Sequence, residues 1–142
     1  MPNHFRFLAT ISRPIEDYAL PSGRVTYDEV LIDVVKPNFD STSGIFTAPQ
    51  NGVYLFSIDG FVYGTCKHGV IRFHVNGKDS SHIIEQNTDG VSSRGINAMR
   101  AFSLNRGDEI SLNNDSSDCV FGDELHPFTF MGTYFVDNTS TN

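Results

Sequence analysis

The sequence has little of what helical, membrane-spanning and nucleic-acid-binding proteins need. Charged residues make up only 19 % of its 142 residues. Amphipathic helices need Lys and Glu on their outer faces, so coiled coils and helical bundles are poor candidates. No apolar run approaches the roughly 20 residues of a membrane span. Basic residues number 10 against 17 acidic ones, for a net charge of −7; this argues against a phosphate-binding surface, and we expect no nucleic-acid partner.

Cysteine is also scarce, with only Cys66 and Cys119 in the chain. Their separation excludes the C-x-x-C spacing of thiolate metal sites and leaves a disulfide and two free thiols as open alternatives. The first five residues lack the basic and apolar regions of a signal peptide. Two tripeptides, at 114–116 and 138–140, match the N-glycosylation pattern and favour secretion. We therefore expect a secreted domain whose signal peptide is not in this chain, with a cytoplasmic protein as the alternative.

Signatures of catalysis are absent as well. The sequence contains no Gly-x-Ser-x-Gly, no glycine-rich phosphate loop and no dinucleotide-binding fingerprint. Its five histidines show no zinc-binding spacing. We therefore expect a protein that is not an enzyme.

What the sequence does contain is a regular series of turn signals with strand-length apolar segments between them. Asn51-Gly52, Asn76-Gly77 and Arg106-Gly107-Asp108 are three of these turns. The segments alternate with period two, which places Phe5, Phe7, Ala9 and Ile11 on one face, and likewise Ile71, Phe73 and Val75. Regular turns without a helical stretch predict an all-β sandwich or barrel, and the length predicts one domain over residues 1–142.

Two segments are apolar on both faces, Val53–Ile58 and Phe128–Val136. An antiparallel strand of this kind is covered on both sides, and a single sandwich supplies only one cover. The second cover is then a loop or another subunit.

Several motifs in the right order resemble the globular domain of C1q. Phe46–Phe56 has a Phe, five residues and then Gly-x-Tyr-x-Phe, with Phe39 seven positions before Phe46. Leu104–Ile110 resembles the Leu-x-x-Gly-Asp-x-Val hairpin of that family, and Phe128–Phe135 resembles its C-terminal strand. Ile58 replaces a family aromatic, and no collagen stalk is present, so complement activation is not implied.

The resemblance spans residues 5–136 and implies a two-sheet antiparallel jelly-roll sandwich that assembles as a homotrimer. We expect an interface that buries part of a set of five aromatics: Tyr54, Phe56, Phe130, Tyr134 and Phe135. By resemblance to soluble lectin-like members, the expected function is pattern recognition in innate immunity, through binding of glycans or microbial surface ligands. The alternative is a signalling or structural trimer head that binds a protein receptor, as in tumour-necrosis-factor-like relatives.

Sugar recognition needs planar hydrogen-bonding groups and aromatic rings on exposed loops. The candidate ligand-binding residues are Arg94, Lys78, His82 and Asn87. Arg94 is the preferred partner for an acidic sugar because its planar guanidinium group donates two parallel hydrogen bonds to a carboxylate. The Arg106-Gly107-Asp108 tripeptide is interpreted as a hairpin turn rather than an integrin motif.

Calcium is the one cofactor considered, since it is bound by six to eight oxygen ligands that clustered carboxylates can supply. The candidate metal ligands are Asp115, Asp118 and Asp123 in one acidic loop and Glu85 and Asp89 in another. A solvated acidic surface is the competing interpretation. Arg94 stands where the family places a calcium-binding Asp, so the family's own site is not carried over.

Overall fold

Twelve strands build the part of the chain that the structure describes. The structure is a computed structural model that describes residues 6–11, 20–34, 38–116, 119–123 and 125–137. The strands are β1 (Arg6–Ile11), β2 (Gly23–Arg24), β3 (Glu29–Val34), β4 (Phe39–Asp40), β5 (Ile45–Thr47), β6 (Gly52–Val62), β7 (His68–Val75), β8 (Lys78–Asn87), β9 (Arg94–Leu104), β10 (Glu109–Asn114), β11 (Val120–Phe121) and β12 (Phe128–Val136). A turn of 3₁₀ helix, Gly64–Cys66, follows β6.

The strands form two antiparallel sheets of six. In the front sheet the order is β3-β1-β12-β6-β9, and β11 pairs with the end of β6 beyond β12. In the back sheet the order is β4-β5-β10-β7-β8, and β2 pairs with the end of β10. This two-sheet jelly roll confirms the predicted fold class.

Alternation along the strands fills the space between the sheets. Phe7, Ala9 and Ile11 on β1 are at most 2 % exposed, as their spacing predicts; Phe5 lies outside the described residues. The Phe7 ring stacks on Phe39 of the back sheet, with centroids 4.3 Å apart. The core is therefore an aromatic layer shared by both sheets, and removal of this apolar surface from water stabilises the sandwich.

Strand register divides the loops between two ends of the sandwich. Val62 pairs with both Arg94 and Val120, and His68 pairs with Asn87. The connections β6–β7, β8–β9, β10–β11 and β11–β12 therefore share one end, which we call the distal end. The connections β5–β6, β7–β8 and β9–β10 share the other, proximal, end. There the backbone N–H of Arg106 donates to Asn51 Oδ1 at 2.7 Å.

Candidate functional site

The distal loops are held together by hydrogen bonds between segments far apart in sequence. Thr88 bridges two of them, because its hydroxyl donates to Gly64 O at 2.6 Å and its backbone N–H donates to Lys67 O at 2.7 Å. The N–H of Tyr63 donates to Cys119 O at 2.8 Å. A surface ordered in this way loses little conformational entropy on binding, which favours recognition.

A disulfide adds a covalent tie at the same end. Cys66 and Cys119 are bonded, with Cα atoms 5.6 Å apart and 53 positions between them in sequence. This settles the pairing that the sequence leaves open. A crosslink closing a loop of that length typically stabilises a fold by roughly 2–4 kcal/mol. It fastens the turn after β6 to the chain that enters β11.

Arg94 lies on this surface with half of its side chain exposed, and its Nη2 is 3.6 Å from Asp89 Oδ2. Asp89 Oδ1 accepts the backbone N–H groups of Val91 at 2.8 Å and Ser92 at 2.7 Å. These backbone hydrogen bonds, joined by the charge of Arg94, lower the pKa of Asp89 below its usual value. The aspartate therefore stays ionised at neutral pH and orients the guanidinium beside the loop.

The structure does not bring the four predicted ligand-binding residues into one site. Asn87, at the end of β8, shares the distal end with Arg94. Lys78 lies at the proximal end, directly after the Asn76-Gly77 turn. His82 lies within β8, with its ring 4.5 Å from that of Phe102. Arg94 and Asn87 are therefore the two predicted ligand-binding residues that share the distal end.

The acidic residues predicted as calcium ligands that the structure describes already have other partners. Asp115 Oδ2 accepts from Arg72 Nε at 2.7 Å, and its Oδ1 accepts from Asn113 Nδ2 at 2.5 Å. Partial burial acts to raise the pKa of Asp115, but the hydrogen bonds from Arg72 and Asn113 and the charge of Arg72 outweigh it and lower that pKa. The Arg72 guanidinium thus occupies the position next to this carboxylate where a cation would sit.

Asp123 and Glu85, one from each predicted acidic loop, also have partners within the protein. Asp123 is only 4 % exposed, and its Oδ1 accepts the backbone N–H groups of Leu125 at 2.9 Å and His126 at 2.6 Å. The placement of Glu85 in a loop is wrong, because β8 continues to Asn87; its carboxylate is 3.7 Å from His68 Nε2.

Within the described residues, no three His, Cys, Asp or Glu side chains are grouped to hold a metal ion. Asp118 lies outside those residues. The described carboxylates do not fit a calcium site, and calcium binding stays a prediction.

The Arg106-Gly107-Asp108 tripeptide is a tight turn. Gly107 has a φ of +92°, which favours glycine. The Asp108 carboxylate accepts the N–H of Asn105 at 2.8 Å and the side-chain amide of Asn76 at 3.2 Å. The carboxylate is thus engaged by its own turn and by the β7–β8 turn, which supports a structural turn. The prediction of a hairpin is wrong, because β9 pairs with β6 in the front sheet and β10 pairs with β7 in the back sheet; the turn joins the two sheets.

The tripeptide at 114–116 is also structural. The Asn114 side chain is fully buried, and its amide nitrogen donates to Leu20 O and Pro21 O, each at 3.1 Å. A glycan on that nitrogen is incompatible with the folded protein. The tripeptide at 138–140 lies outside the described residues.

Sequence reasoning missed an aromatic cluster at the distal end. Phe61 stacks on Phe121 with centroids 5.8 Å apart, and Tyr63 is 4.8 Å from Phe121. The His126 ring meets Phe61 edge-on at 4.9 Å. The spacing of Phe61 near the end of β6 and Tyr63 just after that strand was a usable signal, but β11 is too short to show that Phe121 lies opposite.

The outer face of the front sheet carries the exposed apolar residues Ile32, Met99, Met131 and Phe135, which are 43–62 % exposed. An open depression of about 70 Å³ among them is lined by Leu55, Met99 and Met131. The choice of interface aromatics is wrong except for Phe135, because the other four point into the core. These four, at most 9 % exposed, are Tyr54, Phe56, Phe130 and Tyr134.

Comparison with known proteins identifies the family. A family model described as the C1q domain matches residues 7–136. The chain belongs to the C1q-domain family. Domains of this family are typically non-enzymatic ligand-binding modules. No curated protein sequence matches the chain at a significant level.

Solved structures share the fold of this C1q domain at low identity. The globular domain of zebrafish complement 1qA protein is 17 % identical, with a TM-score of 0.74 over 94 % of this chain and 99 % of that one. The Eiger TNF of S. frugiperda is 12 % identical, with a TM-score of 0.67 over 99 % of this chain and 98 % of that one. Murine APRIL at pH 5.0 is 10 % identical, with a TM-score of 0.67 over 92 % and 98 %. The resemblance inferred from the motifs is confirmed.

No helix among the residues that the structure describes is long and apolar enough to span a membrane.

Proposed function

We propose that this C1q domain is an extracellular recognition protein that assembles as a homotrimer and binds glycans on microbial surfaces. The observation that carries the proposal is the ordered distal end, where a disulfide and hydrogen bonds between distant segments present Arg94 and Asn87 to solvent. Weak sites repeated on one assembly gain avidity on a repetitive surface.

Self-association is supported by the outer face of the front sheet. Met99 on β9 and Met131 and Phe135 on β12, the two strands that flank β6, are large, apolar and 45–62 % exposed. Apolar residues that collect on one face indicate an interaction surface, and a homo-oligomer is the commonest way to cover one. A second subunit packed on this face supplies the second cover that the doubly apolar strands predict.

An extracellular location is supported by two observations. Members of the C1q-domain family are typically extracellular. The disulfide between Cys66 and Cys119 belongs to an oxidising compartment, because cytosolic thiols are kept reduced. The secreted form is therefore favoured over the cytoplasmic alternative.

The test is a glycan array combined with agglutination of sialylated cells. We expect binding that weakens in Arg94→Lys, which keeps the charge but loses the bidentate fork, and disappears in Arg94→Ala. Lys78→Ala at the proximal end is the control and should bind like the wild type. A clean array, together with a membrane protein captured from cells, would favour the receptor-binding alternative instead.

A further inference from the structure

Lys67, between the 3₁₀ turn and β7, has a backbone conformation that lysine rarely adopts. Its φ is +72° and its ψ is −30°, in the positive-φ region that favours glycine. Among the described residues, Asn76 is the other non-glycine residue with a positive φ, and its Asn-Gly turn accounts for it. No turn motif accounts for Lys67. Strained residues of this kind collect at functional sites, so we looked for a function of its side chain.

The Lys67 side chain extends across the loop between β8 and β9. Its Cε and Cγ lie 3.5 and 3.8 Å from the position that a Cβ of Gly90 would take, and they are the only atoms of described residues within 4 Å apart from the chain neighbours of Gly90. Lys67 is exposed. Among the described residues, no carboxylate pairs with its ammonium group. The lysine therefore brings an available positive charge to this loop.

Arg94 brings a second positive charge to the same loop. Its Nη2 lies 3.6 Å from Oδ2 of Asp89, the residue before Gly90. That distance is longer than the roughly 2.7–2.9 Å of a charge-assisted hydrogen bond, so the guanidinium keeps donors for a ligand. Two positive charges thus stand against the one negative charge of Asp89, in a chain whose net charge is −7.

The segments that carry the two cations are fixed against each other at Gly64. A Cβ on Gly64 would overlap Val91 O, and the Gly64 N–H donates to Ser93 Oγ at 3.3 Å. This close packing orders Lys67 and Arg94 before a ligand arrives, which reduces the entropy lost on binding. Both segments are loops beyond the ends of the strands, separate from the outer face of the front sheet that we assign to self-association.

From this arrangement we infer that Lys67 is a second binding residue of the Arg94 site and that the site takes a saccharide with an acidic group, a carboxylate or a sulfate. Arg94 can donate two parallel hydrogen bonds to such a group, and Lys67 adds a compact charge on a flexible stem. The inference rests on the proposed function, because it concerns the same distal end. It adds the ligand class and a residue that the sequence patterns do not single out.

The experiment is a saturation-transfer NMR titration of the whole chain with three methyl glycosides. One is the glycoside of N-acetylneuraminic acid, which carries a carboxylate, one is a sulfated N-acetylglucosaminide, and one is the uncharged N-acetylglucosaminide. We expect at least one acidic probe to bind at least about tenfold more tightly than the uncharged one. The two acidic probes show which anionic group the site prefers.

Lys67→Met keeps most of the stem that crosses Gly90 but removes the charge, and it should weaken binding of the acidic probe about tenfold. Lys67→Arg keeps the charge and should stay within about threefold of the wild type. Lys78→Met is the matched control, because it removes the same charge from the proximal end. It should bind like the wild type.

Lys67→Gly separates binding from stability. Glycine adopts a positive φ without steric cost, so this variant should melt about 2–4 °C above the wild type while losing the acidic probe as Lys67→Met does. If the lysine served only to pack on Gly90, the glycine variant would be less stable and its affinity unchanged, which would overturn the inference.

Three other results would also overturn it. These are wild-type affinity in a folded Lys67→Met, an equal loss in Lys78→Met, and no preference for the acidic probes. If Arg94→Ala still abolished binding in the first case, the proposed function would stand without a role for Lys67. A wild type that binds none of the three probes would refute the inference, and the glycan array would then decide the proposed function separately.

Discussion

Replacing Asn114 with Ala tests how the distal end is held together. The side chain is fully buried. Its Nδ2 donates to Leu20 O and Pro21 O, and its Oδ1 accepts from the N–H and hydroxyl of Ser116 at 3.1 Å and 3.0 Å. The Ser116 hydroxyl oxygen in turn accepts a hydrogen bond from the backbone N–H of Val70 at 2.9 Å. One amide therefore joins the segment before β2, the end of β10 and the start of β7.

The magnitude follows from these four hydrogen bonds. Each contributes about 1 kcal/mol net, and some of the groups left behind stay buried without a partner. We expect Asn114→Ala to lower the free energy of unfolding by about 3–4 kcal/mol. For a chain of this length that corresponds to a fall in Tm of roughly 10 °C.

Asn114→Asp gives a sharper, nearly isosteric test. Its new oxygen would face the Leu20 and Pro21 carbonyl oxygens that the amide nitrogen contacts at 3.1 Å. Burial raises the pKa of such a carboxyl, and an unpaired buried charge is strongly destabilising. We expect it to be at least as unstable as the Ala variant at pH 7. It should partly recover in acid, where the protonated group can donate a hydrogen bond.

Guanidinium unfolding followed by circular dichroism is the assay, since the chain has no tryptophan. All variants are compared at one protein concentration because self-association adds to apparent stability. Asn113→Ala is the control. That side chain is only partly buried and bonds to Asp115 on the surface, so its loss should cost about 1 kcal/mol or less. If Asn114→Ala were no worse than this control, the assigned role of the amide would be wrong.

Further expectations concern assembly, acid, secretion and calcium. Wild-type protein should scatter light as three times its 15.8 kDa chain mass, and Met131→Glu on the apolar outer face should give a folded monomer; a wild-type monomer at micromolar concentration would refute the assembly. The lowered pKa of Asp115 means that its stabilisation is present above about pH 4 and is lost as pH falls through the folded value, so Asp115→Asn should flatten the acid side of a stability–pH curve. Expressed through a eukaryotic secretory pathway, folded protein should carry no glycan at Asn114 by mass spectrometry. Millimolar calcium should raise Tm modestly if Asp118 completes a site, whereas an identical melt in chelator at matched ionic strength would rule one out.

The fold was largely determined by local features of the sequence. Turn residues such as Asn76-Gly77 and period-two alternation act over a few positions, so they show where strands begin, end and face. Phe7, Ala9 and Ile11 are buried as the alternation predicts. The family follows from the same local patterns, because its motifs are turns and strand ends in a set order.

The sites depended on contacts between residues far apart in the chain. Composition could not tell whether Cys66 and Cys119 pair, because a disulfide requires their Cα atoms to approach across 53 positions. Composition also could not show that the Arg72 side chain, 43 positions away, donates a hydrogen bond to Asp115, one of the predicted calcium ligands. Short-range patterns select the strands, but only the packing of both sheets decides which side chains meet.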